Sequence, residues 1–280
     1  MRMIEQLNGA GKKGVFMINL EYKRKSFNKS VERNYKQALQ EMQAKALDKV
    51  ESAISFDDLN SINVYFDPDR IKVAMKSTYK EVGKYFANET YTNIAGIKKD
   101  ISDQRQQVWE TQMAAYVEKI GAERIKIITN TTEEEFKKIV KNVVIEAQKE
   151  GLSVQEAAKL IRQKIGITNN YRALRIARTE IVSASNQGSL LGAKSTNLNL
   201  NKVWISRKIK GRTRHSHFDV DGQIVGIDQP FIVPIYKGKG KTNRVVKLLH
   251  PGDPNGIGDD KDLAGSVINC GCTQGYKRII

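Results

Sequence analysis

The 280-residue sequence predicts an α+β protein, with a helical N-terminal half followed by a small mixed α+β C-terminal module of short antiparallel strands. One observation behind this is a shift in composition. The last glutamate is Glu180, and four of the five prolines (Pro230, Pro234, Pro251, Pro254), all three histidines and both cysteines follow it. Good helix formers dominate before this change and turn formers after it. The other is periodicity: apolar residues first recur every three or four positions, then short β-rich runs alternate with turn signals.

Val31, Tyr35, Leu39, Met42, Ala46 and Val50, with Ile54, give one long helix with a single apolar face. Asp67-Pro68, a side-chain cap followed by proline at the first helical position, opens a second that continues through Ile71, Met75, Val82 and Phe86. Val108 to Ile120 makes a third, which Gly121 stops. Thr131-x-x-Glu134 and Ser153-x-x-Glu156 are capping-box patterns. They open helices carrying Phe136, Ile139 and Val143, then Ala157, Leu160 and Ile161, with Gly151 and Gly166 at the ends. A last helix covers roughly 169–196. Its stripe of Leu174, Ala177, Ile181, Ala184, Gly188 and Leu191 contains three small residues, so it permits close backbone approach. Thr179, Ser183 and Asn186 form an adjacent polar line that reads as a solvated flank.

Beyond this helix, Val203–Ser206 and Phe218–Val220 are rich in β formers, and Asp221-Gly222 before Gln223-Ile224-Val225 is a tight-turn hairpin signal. Phe231–Tyr236 is a further strand that Pro234 confines to an edge. Lys237, Lys239 and Lys241 alternate with Gly238 and Gly240 in a run that reads as a mobile basic loop, and Pro251-Gly252-Asp253-Pro254 is a turn. The expected organisation is an N-terminal arm at 1–27, a helical region at 28–168, and an α+β module at 169–280.

A hydrophobic fraction of 40% beside 28% charged residues argues against wholesale disorder. No apolar run approaches the roughly 18 residues of a membrane span. Gly14–Leu20 is too short for a signal peptide, and two cysteines cannot build a disulfide framework, so a reducing, cytoplasmic setting is expected. The net charge of +16 favours polyanionic partners, nucleic acid first. Residues 201–280 hold 14 Lys and Arg against 7 Asp, roughly double the positive density of the rest. Lys202, Arg207, Lys208, Lys210, Arg212 and Arg214 form one cluster, and Lys237, Lys239, Lys241, Arg244 and Lys247 another. With few aromatics beside them to stack on bases, both clusters read as phosphate contacts of a sequence-independent DNA binder. A charged soluble surface, or one matched to an acidic protein, is the alternative.

Two chemical constellations stand out. His215 and His217 are two apart, as are Cys270 and Cys272; in extended segments each pair would point to one face, and two such segments could hold a structural zinc. The alternative is that the cysteines are small buried hydrophobes and the histidines satisfied polar groups. Arg212 to Asp221 also combines cations, imidazoles and carboxylates, as a metal-dependent nuclease would to hold a divalent ion and activate water. Against this, Asp221-Gly222 is already explained by a turn, and no second carboxylate cluster is evident. Walker, dinucleotide and nucleophile-elbow motifs are absent.

Ala177-Arg178-Thr179-Glu180, then Asn186 and Gly188, Trp204, Arg212-Thr213-Arg214-x-x-His217, Asp221-Gly222-Gln223, Asp228-x-x-Phe231, Pro251-Gly252-Asp253-Pro254 and Asn269-Cys270-x-Cys272 follow one another in order. In this series the stretch from about Arg178 to Cys272 resembles the Mu F-like minor head protein (head morphogenesis protein) family of tailed bacteriophages. Glu21-Tyr22-Lys23-Arg24 before a long helix is also similar to how many members begin. The resemblance implies a non-enzymatic minor capsid component, present in few copies inside the head near the portal, assembled in the host cytoplasm and in some members ejected with the genome. Its partners would be portal protein, major capsid protein and packaged double-stranded DNA, with no membrane. The region 28–168 would then dock on portal or capsid and the basic module would face DNA. Arg178, Thr179, Glu180, Asn186, Trp204, Asp221, Gly222, Phe231, Pro251, Asp253 and Asn269 would be the structural residues of the family motif. The sequence departs from the family at Gly271, where the Cys-x-Cys motif commonly carries arginine. Some relatives carry toxin domains, including ADP-ribosyltransferases, beyond this module. The eight residues after Cys272 and the lack of a late glutamate lead us to expect none here.

Overall fold

In the computed structural model, which describes residues 15–16, 20–96, 101–238 and 240–279, the stripe from Val31 to Val50 is one buried face of helix α1 (Leu20–Ser52). Ile54 lies beyond the end of this helix and is exposed. The chain divides into two compact units. A helical unit comprises Asn28–Thr78 and Ala115–Arg178, and a mixed unit comprises Met1–Phe27, Tyr79–Ala114 and Thr179–Ile280.

The helical unit contains most of α1, the short α2 (Phe56–Asn60), α3 (Asp69–Thr78) and long stretches of α5 (Asp103–Glu150) and α6 (Val154–Lys194). α3 starts directly after Asp67-Pro68, with the Asp67 carboxylate accepting the Asp69 N–H at 3.0 Å. Ser153 and Glu156 form the expected reciprocal cap of α6: the Ser153 N–H donates to Oε2 at 2.8 Å and the Glu156 N–H to Oγ at 3.3 Å. Gly151, at φ +70°, ends α5 as expected. Three anticipated breaks do not occur. α5 runs for 48 residues through Gly121 and Thr131, and α6 runs through Gly166. The Thr131 hydroxyl donates back to the Ile127 carbonyl at 2.7 Å, a bond made inside a helix rather than at its start. A mid-helix glycine costs about 1 kcal/mol relative to alanine, less than the burial of the flanking stripes returns. Within this unit the buried Arg172 guanidinium donates to the Ile128 carbonyl and to the hydroxyls of Thr131 and Thr132. Phe66 and Phe136 pack edge to face at 5.5 Å.

In the mixed unit, the helix expected to continue from Ile71 to Phe86 instead changes pitch. A π-helical turn, Tyr79–Gly83, precedes α4 (Lys84–Ala95). The small residues of α6 meet this region directly. A Cβ on Gly188 would lie 2.0 Å from the Gly83 carbonyl oxygen, and one on Gly192 would lie 2.2 Å from that of Ala87. Glycine is therefore required at both positions for the helix backbones to touch.

A four-stranded antiparallel sheet follows the order β1 (Val15–Phe16), β6 (Thr273–Arg278), β2 (Leu200–Ile205), β3 (Ile224–Gly226). β2 pairs with β6 from Leu200↔Arg278 to Ile205↔Thr273 and alternates buried with half-buried residues, as a one-faced strand should. β4 (Phe231–Lys237) and β5 (Gly240–Leu248) form a separate hairpin, in which Pro234 sits opposite Val245 on a strand with one neighbour, as its ring requires. The anticipated mobile basic loop is the tight end of this hairpin, with Lys237 opposite Gly240 and Gly238 at φ +62°. Lys239 lies outside the described residues. Phe218–Val220 is not a strand, because His215–Asp219 forms a short helix, α7, closed by a turn in which Gly222 takes φ +82°. β3 consequently pairs with β2 rather than with that segment. α8 (Asp260–Val267) covers part of β5. Val182, Trp204, Phe231, Val233, Val246, Leu248, Val267, Cys270 and Cys272 share one core. Among the described residues no helix is long and apolar enough to cross a membrane.

Candidate functional site

The polar line on α6 is not a solvated flank. Thr179, Ser183 and Asn186 are all buried, as is Arg24 on the first turns of α1. The Arg24 guanidinium donates to Ser185 Oγ at 2.6 Å, Asn186 Oδ1 at 2.8 Å and the Cys272 carbonyl at 3.3 Å. Asn186 Nδ2 donates to the Pro251 carbonyl at 2.7 Å and the Cys272 carbonyl at 3.2 Å, so one amide joins α6 to two loops. Gln274 Nε2 bonds the Asn186 carbonyl and the Tyr276 hydroxyl, and Ser189 lies between that hydroxyl and Thr90. Burial pushes the Tyr276 hydroxyl well above its ordinary value, keeping it a neutral donor and acceptor. Thr179 Oγ1 accepts the Asn269 N–H at 2.9 Å, and Glu180 accepts from Tyr79 Oη at 2.9 Å. Arg178, the last residue of the helical unit, is exposed.

The remaining motif residues are equally architectural in placement. Asp221 Oδ1 accepts the Ser206 N–H at 2.8 Å, and Gly222 donates to the Trp204 carbonyl, which fixes the turn into β3. The Asp253 carboxylate caps its own loop by accepting the N–H groups of Leu249 and Asn255, both at 2.9 Å. Gly252, at φ +76°, lets that loop lie against Val182 and Ser183 of α6. Asn269, at φ +57°, turns the chain into Cys270-Gly271-Cys272, and Arg207 lies across Gly271. Sequence reasoning assigned no role to Arg24. Its only signal there was membership in the Glu21-Tyr22-Lys23-Arg24 run.

Of the two histidines and two cysteines, three come together. His217 Nδ1 lies 3.4 Å from Cys272 Sγ and 3.7 Å from Cys270 Sγ, and the three side chains are buried. His215 is a correction: it is exposed and its ring packs on Tyr236 at 5.8 Å, because the segment is helical, and residues two apart point to one face in a strand but to different faces in a helix. Trp204 packs edge to face on both His217 and Phe231. The Cys270 thiol is held at about 7, first by its hydrogen bond with Cys272 and then by the Cys272 N–H, Arg214 and Arg24, against burial. Cys272 is pushed up by the same partner and by burial. Asp219 is bonded to Tyr236 Oη at 2.6 Å and paired with Lys241, and Asp221 holds Ser206, so the groups a nuclease would need do not converge.

The cations separate by burial. Lys202 is a correction, because it is fully buried. Its Nζ donates to the carbonyls of Ile227 at 3.0 Å and Leu249 at 2.6 Å over the Phe231 ring, so it cannot reach a phosphate. Lys202 shares the buried face of β2 with Leu200 and Trp204, and there its long side chain is satisfied by carbonyls. Burial brings it down to about 7. Arg207 and Arg214 are half-buried, with Arg214 donating to the Ile268 carbonyl. Lys208, Lys241 and Arg244 are exposed but paired with Asp221, Asp219 and Asp262. Lys210, Arg212, Lys237 and Lys247 are exposed without an ion pair among the described residues.

Residues 138–274 match the family model of Phage Mu protein F like proteins. The chain is also 30% identical over 143 residues to the NAD(+)–arginine ADP-ribosyltransferase EFV of Enterococcus faecalis. That alignment covers 50% of this chain and 26% of the relative, so the chain spans about a quarter of that protein's length. No solved structure matches.

Proposed function

Because its residues 138–274 match the family of Phage Mu protein F like proteins, we propose that this chain is a head morphogenesis protein of a tailed phage, a minor capsid component that works by binding rather than catalysis. The family match carries this reading. The architecture supports it: the motif residues hold helix, sheet and loops of the mixed unit together, and among the described residues their carboxylates do not cluster. The exposed Lys210, Arg212, Lys237 and Lys247 suit the phosphates of packaged double-stranded DNA, contacted without regard to sequence. Portal and major capsid proteins are the proposed docking partners, with the chain held inside the head near the portal and leaving with the genome. Transferase activity is no part of the proposal, since the similarity reaches only a quarter of the transferase's length.

The test is binding of the full chain to unrelated DNA duplexes over a salt series, with co-sedimentation against portal protein. The proposal expects equal affinity for all duplexes, falling steeply with salt, and a portal complex. Plasmid cleavage with Mg²⁺ or Mn²⁺ would overturn the non-catalytic reading, and failure to bind either partner would overturn the assembly role.

A further inference from the structure

We propose that His217, Cys270 and Cys272 hold a zinc ion that pins α7 to the turn entering β6. The three side chains come from segments more than fifty residues apart, yet their ligand atoms lie within 4.8 Å of one another. His217, Cys270 and Cys272 are 1%, 3% and 1% exposed, so the cluster is inside the core rather than a chance meeting of surface groups.

The spacing is that of a coordination sphere. A tetrahedral zinc with Zn–S near 2.3 Å and Zn–N near 2.05 Å places sulfur and nitrogen about 3.6 Å apart. The observed separations are 3.4 and 3.7 Å to the same nitrogen, Nδ1. That nitrogen faces both sulfurs, and the other, Nε2, has no hydrogen-bond partner among the described residues. The ring's orientation is therefore set by Trp204 edge to face at 5.4 Å and by the sulfurs.

The backbone is arranged to present the two sulfurs together. Asn269 adopts a left-handed conformation, with its N–H bonded to Thr179, and the Cys270 N–H closes a turn on the Val267 carbonyl. The Cys272 N–H donates to Cys270 Sγ at 3.4 Å, a bond that favours a thiolate. Arg24 and Arg214, both near the cysteines, offset the charge of two thiolates. Two thiolates and an imidazole form a borderline-soft donor set that selects zinc over magnesium or calcium. Cys270 and Cys272 share one buried core with Trp204, Phe231 and Val267, so the ion would be enclosed by packed apolar side chains and its role is structural.

Zn²⁺ and Co²⁺ are the probes. Full-length chain, reduced and stripped with chelator, is titrated with Co²⁺ and then Zn²⁺, and untreated chain is assayed for metal after desalting. The proposal expects close to one equivalent of zinc, a sulfur-to-cobalt charge-transfer band with intense tetrahedral visible bands, and displacement of both by Zn²⁺. Cys272→Ser and His217→Gln should each weaken Zn²⁺ binding by more than about a hundredfold, exceeding the loss typical of outer-shell changes. Zn²⁺ should slow alkylation of both thiols in the wild type. A folded, reduced wild-type chain that retains no zinc, gives no cobalt band and alkylates equally fast with or without Zn²⁺ would overturn the proposal, whatever the variants do. The outcome is independent of DNA or portal binding.

Discussion

The guanidinium of Arg24 and the amide oxygen of Asn186 are 2.8 Å apart although 162 positions separate them in the chain. This bond ties the start of α1 to the centre of α6, and Asn186 carries the connection onward to the carbonyls of Pro251 and Cys272. Hydrogen bonds to a charged group contribute about 1.5–3 kcal/mol each, and buried acceptors left without a donor add to the loss. Arg24→Ala should therefore destabilise the chain by about 3 kcal/mol in urea unfolding. Arg24→Lys should recover less than half, since an ammonium cannot reproduce a three-acceptor fork. An effect below about 0.5 kcal/mol would show the network to be dispensable.

The glycines of α6 are predicted to behave in opposite ways. Gly188→Ala places a methyl 2.0 Å from the Gly83 carbonyl oxygen, where backbone must move, and should cost more than about 3 kcal/mol. Gly166→Ala meets nothing within 4 Å and should raise stability by about 0.5–1 kcal/mol through helix propensity. Thermal or urea melts of the two variants check the contrast.

Much of the helical framework was readable in the sequence because it rests on local rules. The α1 stripe, the Ser153–Glu156 cap and the Gly151 stop are each settled by neighbours within a few residues. Gly121, Thr131 and Gly166 misled because their local penalties of about 1 kcal/mol are outweighed by burial along helices of 48 and 41 residues. The polar line of α6 looked solvated because its partners, Arg24, Pro251, Asn269 and Cys272, are far away in sequence. His217 and the cysteines were visible as ligand types, but their pairing without His215 depended on α7 being helical. Lys202 was counted with the surface cations because charge in a sequence carries no sign of burial.

Two buried bases give the stability a defined pH dependence. Burial first, then Lys202 and Arg24, hold His250 below the ordinary imidazole value, with Asp253 and the Pro251 carbonyl opposing. The unfolded chain then binds the proton more readily, so stability is present above 6.5 and is lost as pH falls below it. Lys202 behaves likewise at higher pH: its folded value of about 7 lies under the ordinary 10.5, so stability should rise across that interval. Unfolding midpoints across the pH range should show both slopes, with His250→Gln flattening the acidic one and Lys202→Met the alkaline one. Unchanged slopes in the variants would contradict the assignment.

Surface and buried cations should separate in DNA binding. Each phosphate contact removed lowers the magnitude of the salt slope by about 0.9. Lys210→Gln, Arg212→Gln, Lys237→Gln and Lys247→Gln combined should therefore weaken binding to every duplex alike and flatten the salt dependence. Lys202→Gln should leave the slope unchanged in chain that remains folded. Fluorescence anisotropy over a salt series distinguishes these outcomes.

A place for this chain in the phage head is tested most directly by quantifying it in purified, nuclease-treated heads. It should co-purify with washed heads in few copies relative to the major capsid protein, and heads assembled without it should be defective. Its absence from washed heads, together with normal assembly without it, would rule out a role in the head.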